Sequence, residues 1–95
     1  MDNNIITLNF RKDISRLAGN KLGEDTFEKQ IKDNINYDKL NILVFPDEIE
    51  NIAISFVQGL TKGIFDEINK DEFSKYFKVV AKGDLPDKFI KSIYF

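Results

Sequence analysis

The stretch Leu40-Asn41-Ile42-Leu43-Val44-Phe45-Pro46-Asp47 decides the fold. Its first part is a short apolar run that is rich in branched side chains, with Asp38 before it and a Pro-Asp turn after it. A run of this length between turn residues is typical of a central strand that is covered on both faces. The sequence therefore predicts the middle strand of a sheet at 40–45.

Two elements are predicted before this strand. Residues 5–10 alternate in part between apolar and polar side chains, which indicates a first strand. Residues 13–23 contain serine, asparagine and glycine and are predicted to be a flexible connector. Acidic residues open the next segment, 24–34, and an apolar side chain then recurs every four residues, which predicts an amphipathic helix. Its apolar stripe is Phe27, Ile31 and Ile35.

Three elements are predicted after the central strand. A polar turn at 46–51 leads into a second helix, whose apolar residues have the three- and four-residue spacing of a helix face. That face consists of Phe56, Val57, Leu60, Ile64 and Ile68. A third strand is predicted at 76–81, and Pro86 then stands where the first turn of a last helix tolerates proline.

The predicted order is β-α-β-α-β-α, and this order fixes the fold class. Helical crossovers between strands imply a small, mostly parallel or mixed sheet with helices packed on it. The chain has 95 residues, fewer than the ~100–200 usual for one domain, so residues 1–95 are expected to form a single α/β domain.

Composition and charge exclude several function classes. The net charge of -2 and the lack of a long basic block argue against a nucleic-acid partner. Without Cys or His there is no thiolate nucleophile, no imidazole base, no disulfide and no thiolate or imidazole metal site. The longest apolar runs are far shorter than the about 20 residues that span a bilayer, and the start at Met1-Asp2 is unlike a signal peptide. We therefore expect a cytoplasmic binding domain with no cofactor, no metal, no membrane and no enzymatic activity.

Ser55 is the first candidate functional residue, because it follows the predicted turn at the start of the second helix. A serine there can cap the helix by accepting a hydrogen bond from the first-turn N–H groups. A phosphate on it would be favoured by the helix dipole and would add about -1.5 to -2 charges. The residues alone leave both interpretations open.

Ser55-Phe56-Val57, placed after a short apolar strand and before an apolar helix, resembles the STAS-like domains related to anti-sigma-factor antagonists. The resemblance covers most of the chain and is supported in the preceding segment by Arg16, Gly19, Gly23-Glu24 and Phe27. It implies a STAS-like fold, phosphorylation of Ser55 by an anti-sigma kinase, and binding of that histidine-kinase-like ATPase by the unphosphorylated surface. It also implies a bacterial or phage protein.

The chain departs from the STAS-like pattern at three places. Ala53-Ile54 stand where the family commonly has further serines, Phe45 stands where it has an acid, and Gln58-Gly59 replace an acidic pair. Constitutive binding is therefore as compatible with the sequence as switching. The expected partner-binding residues are Asp47, Glu48, Asn51, Ser55, Gln58 and Lys62.

Three further features have structural and functional interpretations. The acidic turn Asp47-Glu48-Ile49-Glu50 lacks the spacing of an EF-hand and is expected to be solvated. Gly59 and Gly63 share one helix face, which favours close packing against the sheet or, alternatively, a partner contact. The apolar segment Ile93-Tyr94-Phe95 is expected to complete the core or to form a patch for a partner or a homodimer.

Two binding functions are compatible with these residues. The first is a regulatory protein-interaction module that docks a kinase or ATPase through the loop before the second helix and the start of that helix. The alternative is a stand-alone inhibitor or accessory subunit, for example one encoded by a phage or mobile element, which blocks or completes a host complex.

Overall fold

The computed structural model describes residues 2–95. Its strands are β1 (Asn3–Thr7), β2 (Arg16–Leu17), β3 (Leu40–Val44), β4 (Asn51–Ile52) and β5 (Phe77–Val80). Its helices are α1 (Asn20–Thr26), α2 (Ile54–Lys62), α3 (Phe73–Tyr76) and α4 (Leu85–Ile93). The chain continues from α1 through a wide π turn at Phe27–Ile31 and a tight 3-10 turn at Lys32–Asn34. The α/β class and the helices packed on a mostly parallel sheet are confirmed.

The main sheet has three parallel strands in the order β1-β3-β5. The predicted central strand is therefore confirmed, with β3 hydrogen-bonded to a neighbour on each side. The strand order follows the chain order and never reverses. Right-handed crossovers in such a sheet all cross the same face, so the helices accumulate on one side.

The two faces of the sheet differ accordingly. Side chains of Asn41, Leu43 and Phe45 point to the helix-covered inner face and are buried. On the other face, Ile5 of β1 is 66% exposed and Val80 of β5 is 41% exposed. In the central strand, Leu40, Ile42 and Val44 are half-buried, so its predicted cover is complete on the inner face and only partial on the outer face, where the unreversed strand order provides no helix.

The core lies between the inner face of the sheet and the helices. Five phenylalanine rings are almost entirely buried there: Phe45, Phe56, Phe73, Phe77 and Phe89. The ring centroids of Phe73 and Phe77 are 5.2 Å apart, and those of Phe73 and Phe89 are 5.8 Å apart, within the range of favourable aromatic packing. The aromatic residues of the last third of the chain thus connect β5 and α4.

Asn41 is a fully buried polar residue within the apolar run of β3. Its side-chain Nδ2 donates to the carbonyls of Asn36 at 2.9 Å and Tyr76 at 3.0 Å. Its Oδ1 accepts from Asn4 Nδ2 at 2.7 Å and from the Asn36 N–H at 2.9 Å. Since Asn4 is in β1 and Tyr76 precedes β5, one amide holds the same end of all three strands.

The predicted connector at 13–23 is wrong in two places. It contains β2, which pairs with β4 in a second, two-stranded parallel sheet, and Leu17 of β2 is fully buried. It also contains the start of α1, which begins at Asn20 and not at residue 24. The glycines that suggested a loop are needed for other structural reasons. Gly19 adopts a φ of +97° directly before α1, and Gly23 lies where α1 packs against α2.

Gly23 and Gly59 form the contact between α1 and α2. A Cβ on Gly59 would lie 2.8 Å from the Asn20 Cα, and a Cβ on Gly23 would lie 2.6 Å from the Leu60 nitrogen. Either distance is too short for two non-bonded atoms, so both positions require glycine. Close packing explains the glycines of α2, as predicted, but the element that packs against them is α1 and not the sheet. The helix itself ends at Lys62, earlier than the predicted apolar face that runs to Ile68.

Candidate functional site

Ser55 lies in the first turn of α2, at the junction that the sequence singled out. The N-cap of this helix is Ala53, so the interpretation of Ser55 as a capping residue is wrong. Its half-buried Oγ instead accepts a hydrogen bond from the N–H of Gly19 at 2.9 Å. Ser55 therefore connects α2 to the segment that precedes α1, 36 residues earlier in the chain.

Gly19 fits this contact because of its backbone. Its φ of +97° and ψ of 141° lie in a region that is essentially restricted to glycine, and they direct the chain from β2 into α1. Nothing lies within 4 Å of the place where a Cβ would stand, so the conformation and not crowding selects glycine here. Ser55, Gly19 and the Gly23–Gly59 contact together fix the start of α1 against α2.

Gln58 and Lys62 lie one helical turn apart on the exposed side of α2. With Asn20 and Glu24 of α1 they line a shallow depression of about 220 Å³. Lys62 Nζ lies 3.7 Å from the Glu24 Oε1, a loose ion pair at the surface. The structure therefore brings these two predicted partner-binding residues together and adds two residues from α1.

Of the other predicted residues, Glu48 and Asn51 make side-chain contacts with other parts of the chain. Glu48 lies 3.2 Å from Lys12 Nζ, and this hydrogen bond lowers the pKa of the Glu48 carboxyl. Asn51 Oδ1 accepts from Lys88 Nζ at 2.6 Å, and Asp47 is exposed in the turn. These three residues belong to the edge formed by the 46–50 turn and β4, whereas Gln58 and Lys62 face α1.

The acidic turn 47–50 is solvated, as predicted, with one exception. Ile49 is fully buried and anchors the turn, while the Glu50 carboxylate lies 3.9 Å from Lys82 Nζ. No cluster of three or more carboxylates suited to a metal ion occurs within residues 2–95.

A larger cleft of about 410 Å³ lies between the segment after α1 and the end of α2. Phe27, Ile35 and Tyr37 form its apolar part, and Gly63 lets the Phe27 ring pack against α2. Burial raises the pKa of the Tyr37 phenol, with a smaller effect from Glu67. Sequence reasoning missed this cleft. Two signals in the sequence could have revealed it: the glycines four residues apart, Gly59 and Gly63, and the apolar stripe that begins at Phe27.

The end of the chain divides between core and surface. Ile93 is buried, whereas Tyr94 is 61% exposed and Phe95 is 85% exposed. The Tyr94 hydroxyl donates to the Lys70 carbonyl at 3.0 Å. Ile93 therefore completes the core, whereas the side chains of Tyr94 and Phe95 lie largely at the surface.

Comparison of the chain with family models, curated proteins and solved structures finds no match. Across residues 2–95, no helix combines the length and the apolar character needed to cross a membrane.

Proposed function

We propose that this chain is a non-enzymatic protein-interaction module that binds a protein partner around the first two turns of α2. The observation that carries the proposal is the hydrogen bond from the Gly19 N–H to the Ser55 Oγ at 2.9 Å. This bond joins the Ser55 hydroxyl, in the first turn of α2, to the loop that leads into α1. A kinase or ATPase of the histidine-kinase-like class is the proposed partner, and because such enzymes use ATP, the proposal locates the chain in the cytoplasm.

The binding surface consists of Ser55, Gln58 and Lys62 of α2 and of Asn20 and Glu24 of α1. Gln58 is exposed, and the loose Lys62–Glu24 pair leaves both charges accessible to a partner. Exposed pairs of this kind contribute only about 0–1 kcal/mol, so a partner loses little stability by replacing one. The surface also has a defined shape, because the Gly23–Gly59 contact fixes α1 and α2 relative to each other.

A phosphate on Ser55 would act on this surface in two ways. It would add about -1.5 to -2 charges to the first turn of α2, and its oxygens would compete for the first-turn N–H groups of that helix. Because the Ser55 oxygen now accepts from Gly19, the loop before α1 has to adjust to the phosphate. Phosphorylation would therefore change the shape of the partner surface as well as its charge.

The second candidate function is an inhibitor or accessory subunit that binds without phosphorylation. The half-buried position of Ser55 favours it, since a hydroxyl engaged in a structural hydrogen bond is less accessible to a kinase. The same surface of α1 and α2 is used in both functions.

The partner surface is tested by capture from the native cell with tagged protein. Lys62→Glu should reduce recovery of a partner that wild type retains, since it reverses the charge beside Glu24. Lys91→Glu on α4 is the matched control and should retain the partner. Equal recovery by wild type and Lys62→Glu would reject the proposed surface.

The switch is tested by incubation with the captured kinase and ATP, followed by intact-mass measurement. A mass increase of one phosphate in wild type and none in Ser55→Ala supports switching, with Ser74→Ala as the control that keeps the phosphate. Unmodified wild type, combined with unchanged partner binding by Ser55→Asp, would assign the chain to the inhibitor class.

A further inference from the structure

The outer face of the main sheet is a partly apolar surface that no helix covers among residues 2–95. It is defined here by Ile5 and Thr7 of β1, Leu40, Ile42 and Val44 of β3, and Lys78 and Val80 of β5, which alternate with the buried residues of each strand. Ile5, Ile42 and Lys78 form one row across the sheet, and Thr7, Val44 and Val80 form the next. Each row therefore pairs two branched apolar side chains, Ile5 with Ile42 and Val44 with Val80, and its third member is Lys78 or Thr7.

An uncovered face of this kind is unusual for a parallel sheet. Parallel sheets are almost always covered on both faces, and their strands are apolar on both sides for that reason. β3 has this composition, because Leu40, Ile42 and Val44 are apolar on the outer side as Leu43 is on the inner side. Among residues 2–95 no helix covers the outer face, since the helices lie on the other side with the buried cluster. The composition of β3 thus matches a sheet that carries a second layer.

The size of the outer face indicates how large that layer is. Three strands about 4.8 Å apart and five residues long, at about 3.3 Å per residue, cover on the order of 250 Å² of flat sheet. That area is well below the roughly 800 Å² per partner of a standard stable interface, so a contact confined to this face is weak whichever molecule makes it. One α-helix, about 10–12 Å in diameter, matches the width of three strands.

The charge of the outer face indicates the chemistry of such a helix. Lys78 is the one charged residue at its strand positions, and no carboxylate lies within ion-pair distance of it among residues 2–95. Because β5 is an edge strand, this ammonium group borders the apolar rows instead of interrupting them. A second copy presents the same lysine and no carboxylate, whereas a helix with an acidic residue beside its apolar stripe complements it.

We propose that the outer face binds one amphipathic α-helix of a partner protein, with its apolar stripe on Ile5, Ile42 and Val80 and a flanking carboxylate on Lys78. This surface lies on the opposite side of the sheet from the helices that carry Ser55 and Lys62. The inference therefore goes beyond the proposed function and does not depend on it. A chain with both surfaces connects two partners.

The test uses a designed 14-residue helical peptide with a Leu/Ile stripe and glutamates along one flank, and a matched peptide with lysines in their place. Each is titrated into the full-length 15N-labelled protein and followed by amide chemical shifts. The glutamate peptide should shift amides of β1, β3 and β5, and should bind about fivefold more tightly than the lysine peptide. Lys78→Glu should reverse that preference, while Lys91→Glu should leave it unchanged.

Ile5→Ser tests the apolar part of the contact without altering the core, because Ile5 is 66% exposed. We expect it to weaken binding about tenfold, and Val80→Thr, which keeps the shape of the side chain, to weaken it as well. Absence of shifts in the three strands at millimolar peptide, or shifts confined to α2 or to residues 94–95, would overturn the proposal. So would a wild-type dimer by sedimentation equilibrium that Ile5→Ser dissociates, since the occupant would then be a second copy.

Discussion

Ser55 contributes a single hydrogen bond, but that bond joins the loop before α1 to the first turn of α2. The sequence placed Ser55 correctly at the start of the second helix, because a hydroxyl before an apolar helical pattern is a local signal. It did not identify the donor, since Gly19 lies 36 residues away and no local rule relates the two positions. The capping interpretation is wrong for a different reason: the helix begins earlier than expected, and Ala53, two positions before Ser55, occupies the cap.

Removal of the Ser55 hydroxyl should destabilise the protein modestly. Ser55→Ala leaves the Gly19 N–H without its acceptor, and we expect the free energy of unfolding to fall by about 1–2 kcal/mol. Urea denaturation followed by circular dichroism measures this, and Ser74→Ala on the exposed side of α3 is the control. A Ser55→Ala protein as stable as the control would show that the hydrogen bond has no structural role.

Asn41 should be far less tolerant of substitution than its position in an apolar run suggests. Asn41→Ala removes the partners of the Asn36 N–H and of the Asn36 and Tyr76 carbonyls. We expect a loss of about 2–4 kcal/mol, because each buried polar group left unpaired costs about 1–3 kcal/mol. Thermal unfolding of Asn41→Ala beside Asn4→Ala provides the comparison. Equal melting temperatures would refute a central role for Asn41.

Tyr37 should titrate above the usual range of a phenol, since burial raises its pKa. The raised pKa means that the folded state holds the proton more tightly than the unfolded state. Its contribution to stability is therefore complete below the unfolded pKa and is lost as pH rises through the folded pKa. The ultraviolet absorbance of tyrosinate is recorded against pH for wild type and Tyr37→Phe. The difference between the two curves should be one ionisation, that of Tyr37, at a pH above the usual range of a phenol. A difference curve centred below pH 10 would contradict the assigned burial.

At the scale of elements, periodicity predicted helices and strands well where one side chain pattern dominated. The third strand and the proline in the first turn of α4 are confirmed, and β3 is confirmed as the central strand. The connector at 13–23 failed because glycine was interpreted as a loop residue. Gly23 is instead the residue that lets α1 approach α2, a tertiary requirement that overrides helix propensity.

The contact between α1 and α2 should depend on Gly59 more than on Gly63. Alanine is intrinsically better in a helix than glycine by about 1 kcal/mol, yet Gly59→Ala should destabilise by about 1–3 kcal/mol through overlap with the backbone of Asn20. Gly63→Ala meets the ring of Phe27, which is half-buried and able to rotate, so its effect should be smaller. Denaturant midpoints of the two variants test this order, and the reverse order would refute the assigned contact.

At the scale of the whole molecule, sequence reasoning predicted the fold class but not the faces of the sheet. The alternation of strands and helices indicates parallel neighbours, and the structure confirms them. Which strand adjoins which is set by long-range packing, so the uncovered outer face was not predictable from the apolar pattern of 40–45. That pattern even suggested the opposite, since β3 is apolar on both sides.

Protection from solvent should follow the sheet order. β3 is hydrogen-bonded on both sides, whereas β1 and β5 are edge strands of the main sheet. Amide hydrogen exchange should therefore be slowest at Leu43, which is fully buried, and faster at Ile5. Nuclear magnetic resonance of protein transferred into deuterated water measures both rates. Faster exchange at Leu43 than at Ile5 would contradict the central position of β3.

The unreversed strand order also has a consequence for synthesis of the protein. Each main strand pairs with the one made just before it, so a growing chain at the ribosome never has to wait for a distant segment before it extends the sheet. β1 and β3 can pair while the later residues are still being translated. The Asn41 amide makes its last hydrogen bond only when Tyr76 leaves the ribosome. The polar contacts that hold the three strands together are therefore complete only when β5, the last strand to be made, has formed.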